Sequence, residues 1–304
     1  MAQYWTDKFS YVTGAVRYKD LAYMALVGDE VAEKKISQSH IMEWDAGTWR
    51  GGEDTTRKWE IVSASIAVKP REQAIFLGEG GQITCLGSGD THDETIETKD
   101  SSPKNRGPLR GIRRIGESVY PVGMDRQVYR RDALGRWSCI DQWARKQKQE
   151  DSVTGFEAID GFDENEIYAV GWDGEIWLYD GAKWSQKNSP TNLVLVHVCC
   201  GPDGNVYACG RVGTLLRGRG DKWDIIRHES ITDDIWNLAW YDNHLYFSTM
   251  SGVYMLEGDE VRVVGLGDLG AETFFHLSAA DGVLWSIGAK DVLAFDGESW
   301  VRID

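Results

Sequence analysis

"EIYAVGWDGEIWLYDGAKW", residues 166–184, reads as strand, tight turn, strand, turn and a tryptophan. Ile167 and Ala169 alternate with Tyr168 and Val170, the period of two that a strand requires. The G-W-D-G step puts glycine where the backbone must reverse tightly. The unit returns as "NVYACGRVGTLLRGRGDKWDIIR" from 205, "HLYFSTMSGVYMLEGDEVRVV" from 244 and "VLWSIGAKDVLAFDGESWVRI" from 283. Upstream it appears as "SVYPVGMDRQVYRRDALGRWSCI" from 118 and, more weakly, as "QAIFLGEGGQITCLGSG" from 73. One landmark position runs Gly78, Gly123, Gly171, Gly210, Thr249, Gly288, at spacings of 45, 48, 39, 39 and 39.

A strand-rich repeat of this period marks the blades of a β-propeller. Each unit has three or four short strands and cannot bury both faces of its sheet alone, so the blades must pack on one another. The innermost strand precedes each unit, as in "LVLVHVCCGPDG" (193–204), "IWNLAWYDNH" (235–244) and "FFHLSAADG" (274–282). Trp137, Trp184, Trp223 and Trp300 recur where the outer strand begins, which assigns them to wedging between blades. Six blades are visible. Residues 15–63 have the length of a seventh, with "DLAYMALVG" (20–28) and "HIMEWDAGTW" (40–49) as middle strands but no glycine signature.

The expectation is an all-β chain with negligible helix: one seven-bladed propeller over 1–304, with six blades as the fallback. The blades fall at 15–63, 64–100, 109–143, 155–189, 192–228, 232–264 and 271–304, and residues 1–14 are accessory. Polar stretches at 88–111 and 144–155 read as insertions between blades. The string I-Y-A-V-G-x-x-G-x-I-x-x-Y-D-G-x-x-W resembles the bacterial propeller repeats related to the YVTN, BNR and WD groups. The match is good over Ile167–Trp184, fair over Val206–Trp223 and Leu284–Trp300, and poor before residue 110. There is no S-x-D-x-G-x-T-W box and no Gly-His to Trp-Asp pairing, so neither sialidase-type chemistry nor an ordinary WD-repeat protein is implied. The resemblance implies a fold and leaves enzymes, lectins, receptors and scaffolds open.

Bulk properties narrow the classes. The 304 residues suit two domains or one large repeat assembly. A net charge of −15 and a pI near 4.9 disfavour non-specific binding to nucleic acid or an anionic membrane. "MAQYWTDKFSYVTGAV" has neither the basic start nor the apolar run of a leader, and no stretch has the length of a membrane span. Cys85, Cys139, Cys199, Cys200 and Cys209 show no C-x-x-C spacing and read as reduced thiols in a cytoplasm.

Candidate chemistry thins out on inspection. "GLGDLG" (265–270) satisfies G-x-G-x-x-G, but a strand-like stretch follows it, not the helix a dinucleotide site needs, so it reads as an interblade loop. His197, Cys199 and Cys209 offer three soft ligands on neighbouring strands and read as core. "DGFDENE" (160–166) lacks the order of a calcium loop and reads as a solvated turn. No nucleophile elbow, metal set or cofactor motif stands out, so no catalytic residue, metal or cofactor is assigned. One charge feature remains. Residues 104–148 hold twelve Lys/Arg against four Asp/Glu, read either as a blade edge paired with acidic neighbours or as a basic sector for an acidic partner.

Propellers bind at one mouth of the channel, where the turns between second and third strands converge. Those turns carry Met124, Arg126, Trp172, Asp173, Arg211, Met250 and Lys290, several of them residue types that dominate binding hot spots. Trp172 and Arg211, at equivalent turns of neighbouring blades, are expected close together. The functional expectation is a monomeric, non-catalytic, cytoplasmic module that binds another protein and neither nucleic acid nor membrane. By analogy, its concrete form is a bacterial immunity protein neutralising a toxin or effector domain. The alternatives are a lectin that stacks sugars on tryptophans, and a lyase or hydrolase with a channel site.

Overall fold

The computed structural model describes residues 5–51, 55–99, 101–145 and 153–304. Among them the chain forms seven antiparallel sheets in sequence order, each a meander whose strands pair with the next along the chain. Six sheets have four strands, and the first adds the two-residue strand Thr56–Arg57 beside its third. This is a seven-bladed β-propeller. Among the described residues the one α-helix is the five-residue Asp29–Glu33, in the turn between the second and third strands of blade 1.

Blade 4 shows how the repeat works. Its strands are Phe156–Asp163, Glu166–Gly171, Ile176–Tyr179 and Trp184–Lys187. Ile167 and Ala169 enter one core with residues of blade 3, while Tyr168 and Val170 enter another with residues of blade 5. The period of two therefore feeds two different cores, so both faces of the strand are apolar. The Y-D-G turn is also chemical. The Asp180 carboxylate accepts the amides of Ala182 and Lys183, which hold its pKa below the usual range. Asp296 does the same for Glu298 and Ser299 in blade 7.

The landmark glycine has a steric cause. A Cβ on Gly171 would sit 1.9 Å from the Gly155 carbonyl oxygen, on Gly210 2.1 Å from that of Val194, and on Gly288 2.0 Å from that of Thr273. In blades 4, 5 and 7 the chain enters its first strand by laying a carbonyl against the end of the second, and only hydrogen fits between.

The chain divides into two compact units, 62–238 and 1–61 with 239–304. In the first unit, blades 2 to 5 stack through three cores. Trp137 closes the core of blades 2 and 3, Trp184 that of blades 3 and 4, and Trp223 that of blades 4 and 5. Polar side chains of the first strands stitch neighbours as well. Ser63 and Ser65 Oγ accept the amides of Ile112 and Arg114, and Asp160 accepts that of Cys200 while pairing with Arg113. Asp160 is thus buried, which corrects the reading of 160–166 as wholly solvated; only the Asp163–Asn165 tip is an open turn.

In the second unit, blades 6 and 7 share a core of Tyr241, Tyr246, Phe274 and Leu284, and blade 7 packs directly on blade 1. Tyr11, Met24 and Met42 meet Trp285 and Ile287, and Trp44 lies edge-on to Trp285 at 5.1 Å. The Tyr11 amide donates to the Ala289 carbonyl at 2.9 Å, Trp49 Nε1 to that of Ile303 at 2.8 Å, and the Val16 amide to Ser278 Oγ at 3.0 Å. Among the described residues no strand is exchanged between the two blades. Blade 1 is built from the start of the chain and blade 7 from its end.

Two boundaries differ from the sequence reading. Phe9–Tyr18 is the first strand of blade 1, so residues 9–14 are not accessory. The helix Asp29–Glu33, which replaces the tight turn after Gly28, hid it. The stretch 88–111 is not all loop: Asp90–Thr95 is the outer strand of blade 2, and Pro103–Asn105 forms a 3-10 turn. That strand is polar because it contributes Glu94 and His92, not apolar groups, to its inner side. Most of the 144–155 insertion, residues 146–152, lies outside the described residues, as do residues 1–4.

Replacing Gly171 by alanine should destabilise the protein by about 3 kcal/mol, the upper range for overpacking. A shift of the denaturant midpoint to lower concentration checks this, and an unchanged midpoint would refute the steric assignment.

Candidate functional site

In a four-stranded meander the second turn and the connector to the next sheet leave from the same end. Within residues 62–238 these segments interlock. The Asp125 amide donates to the Thr154 carbonyl, Trp172 to Gly155, Arg211 to Val194 and Gly213 to Asp233, at 2.8–3.1 Å. Each turn is therefore held by a connector, and several turn residues are forced to positive φ: Asp125 at 59°, Arg126 at 52°, Asp173 at 55° and Val212 at 54°.

Val212 is the anomaly. A β-branched residue in the left-handed region is strained, and such strain persists only where the surroundings over-determine it. Here the Val212 amide donates to Asp234 Oδ1 at 2.9 Å, Arg211 pairs with the same carboxylate, and the Arg211 guanidinium lies 4.7 Å from the Trp236 ring centre. The apolar side chain at the tip is 64% exposed. Trp172 is half-buried, its indole nitrogen donating to Glu157 Oε1 at 2.7 Å, and Asp173 beside it is exposed. Trp172 and Arg211 are thus each fixed by their own partners. Met124 is half-buried next to them in the chain of turns.

Arg126 is not a contact residue. It is buried, grips Glu175 with two guanidinium nitrogens at 2.7 and 2.5 Å, and lies 5.2 Å from the Trp177 ring centre. The left-handed turn directs this side chain inward. In the other unit, Met250 is exposed at its turn, whereas Lys290 is largely spent on the fold. Its Nζ donates to the Thr6 and Phe9 carbonyls and to Asp29, tying blade 7 to blade 1.

The connectors add residues that repeat logic overlooked. Trp143 is 59% exposed, and Val153 and Leu193 also project at this end of the unit. An isolated tryptophan in "DQWARK" was the available signal; it sits at no repeat position and so carries no packing duty.

No protein-family model matches the sequence. Over 298 residues, however, the chain is 53% identical to Immune protein Tsi7 of Pseudomonas aeruginosa PAO1, covering 97% of each. The chain belongs to the Tsi7 immune-protein family. Among solved structures it is similar to YCF48 from Cyanidioschyzon merolae (TM-score 0.68, 12% identity, 96% of this chain and 97% of that one). It is also similar to the WD40 propeller domain of Doa1 (0.66, 13%, 97% and 92%) and to virginiamycin B lyase from Staphylococcus aureus (0.61, 12%, 79% and 83%). At such identities these likenesses speak for the fold alone.

In this Tsi7 relative much of the basic sector is paired, while Lys104, Arg114 and Arg136 stay exposed. Arg106 bridges Asp125 and Asp141, Arg113 meets Asp160, Arg130 Asp132 and Arg145 Asp141. Arg131 is the deepest. With Trp137 Nε1 it holds Glu94, whose pKa falls although burial opposes it, because Arg131 is its partner. Cys85, His92 and Glu94 converge there as potential metal ligands, but Arg131 already supplies the positive charge and approaches Cys85 Sγ at 3.6 Å. Burial raises the Cys85 thiol to about 12, so it is a poor thiolate donor. The cluster is an interblade tie. Nor do the recurring tryptophans offer sugar platforms, since Trp137, Trp184 and Trp223 are buried and only Trp300 is partly open.

Two measurements follow from these partners. Val212→Asn should stabilise the fold by about 1 kcal/mol, because asparagine tolerates the left-handed region; a lower melting temperature would show that the valine is not strained. Glu94→Ala should cost about 3–5 kcal/mol by leaving Arg131 buried without a counter-charge, read as a loss of denaturant resistance.

Proposed function

We propose that this chain is an immunity protein that neutralises a toxin by binding it as a protein, through the turn-and-connector face of blades 3 to 5. Membership of the Tsi7 family carries the first part. The observation that carries the second is the exposed Val212 held in a strained turn, with Trp143, Leu193, Val153 and Trp172 projecting from neighbouring segments. Large rigid apolar groups on a pre-organised surface are what a tight protein interface uses as anchors. Asp173 and Met124 complete the rim. Met250 we keep as a secondary contact; Arg126 and Lys290 we assign to support.

The work is done by a monomer acting without catalysis, metal or cofactor. We place it in the cytoplasm, where its five free cysteines suit a reducing environment. The acidic balance supports a protein partner over nucleic acid or membrane, and among the described residues no helix is long and apolar enough to cross a bilayer. We also read the repeat around Ile167–Trp184 as kin to the YVTN, BNR and WD groups.

With the cognate toxin domain as titrant, Trp143→Ala and Val212→Asp should each weaken binding by about 30-fold or more, equivalent to about 2 kcal/mol. Lys183→Ala, in the third turn of blade 4 at the opposite end of the sheet, should leave binding unchanged. If Lys183→Ala weakens the complex while the other two do not, the surface is on the wrong side.

A further inference from the structure

We infer that the outer flank of blade 7 carries a second recognition site, one for an arginine side chain presented by another polypeptide. Its origin lies in the repeat. In blade 4 the tryptophan that opens the outer strand is covered from the preceding connector: Trp184 Nε1 donates to the Ile140 carbonyl at 2.9 Å, and Ala144 lies in the same core. In blade 7 the covering segment is "GLGDLG". A side chain at Gly265, Gly267 or Gly270 would meet nothing within 4 Å. The loop reaches the tryptophan only through Leu266 and Leu269, and Trp300 stays partly open in a groove of about 440 Å³.

The groove is built for a flat cation. Its floor is Trp300 stacked on Phe295, with ring centres 4.9 Å apart and planes 17° from parallel. Leu266 and Leu269 form apolar walls, and Asp268 and Glu298 stand at the rim. Among the described residues neither carboxylate has an ion pair or a side-chain hydrogen bond, so the rim carries uncompensated negative charge beside an aromatic face. A guanidinium stacks on an indole and offers its edge donors to carboxylates, while the methylene stem takes the apolar walls. The loop is pre-organised to receive it: Arg302 donates to the Gly270 and Leu269 carbonyls at 3.0 and 3.4 Å and is itself held by Asp291 and Asp304.

The two leucine walls argue for an arginine side chain, whose methylene stem they would cover, rather than for a bare guanidinium ion. This site lies on the outer flank of blade 7, and it does not depend on the turn-face reading of blades 3 to 5.

The probe is the peptide acetyl-Val-Arg-Val-amide, titrated into ¹⁵N-labelled full-length protein, with the Trp300 indole resonance assigned by its loss in Trp300→Phe. We expect a saturable shift of that resonance with Kd of about 1 mM, and binding at least about five-fold weaker for the uncharged citrulline peptide. The Asp268→Asn, Glu298→Gln double variant changes only exposed side chains and so keeps the fold; it should lose about five-fold or more in affinity. The proposal is overturned if the Trp300 resonance does not move up to about 10 mM peptide, well past such a Kd. It is equally overturned if the citrulline peptide binds as well, or if the double variant binds as the parent does.

Discussion

A four-stranded sheet that is apolar on both faces has to be sandwiched, and that requirement governs this molecule. In blade 4 every residue from Ile167 to Gly171 is buried, half against one neighbour and half against the other. No blade can serve as an end, since an end would leave one such face in water. Burial of apolar area at about 25 cal/mol per Å² is the dominant favourable term, so the first and last blades are driven onto one another. The compact unit made from 1–61 and 239–304 is the outcome, and Trp285, Tyr11 and Met24 are its core.

The same packing decides which residues are left for recognition. Where strands bury both faces, only turns and connectors retain freedom. Turns pressed against a connector then sort their side chains by geometry, not by chemical type. Arg126 of blade 3 and Val212 of blade 5 sit in equivalent positive-φ turns, yet the arginine is folded into an ion pair with Glu175 and the valine is pushed into solvent. Burial of arginines along blade 3 follows the same logic: acidic partners on its own and neighbouring sheets absorb much of a charge excess that the linear sequence displays as a patch.

What the sequence made legible was whatever repeats. The 39-residue spacing, the alternation at Ile167–Val170, the landmark glycine and the wedge tryptophans each reflect a constraint applied once per blade, so chance cannot mimic them. The strand Phe9–Tyr18 was missed because the second strand of its blade runs into the helix Asp29–Glu33 and not into a tight glycine turn, and Asp90–Thr95 because its inward groups are polar. Trp143 was missed for the opposite reason to Trp184: it answers to no repeated constraint, and single events in connectors have no second copy to confirm them. Side-chain partnership, as between Arg131 and Glu94, is set by contacts across 37 residues of sequence and is invisible to any local pattern.

The absence of an exchanged strand at the join has a kinetic meaning. Adjacent blades are stitched by bonds between residues 49 apart, whereas the join connects residues 254 to 284 apart. Closing the longer loop costs about 1.5 kcal/mol more chain entropy than joining neighbours, and its last partners emerge from the ribosome last. Blades 2 to 5 can zip up progressively while the apolar face of blade 1 waits for one that has not yet been made. The species exposed to misassembly is therefore the chain one blade short, with Tyr11, Met24 and Met42 facing water until Trp285 arrives.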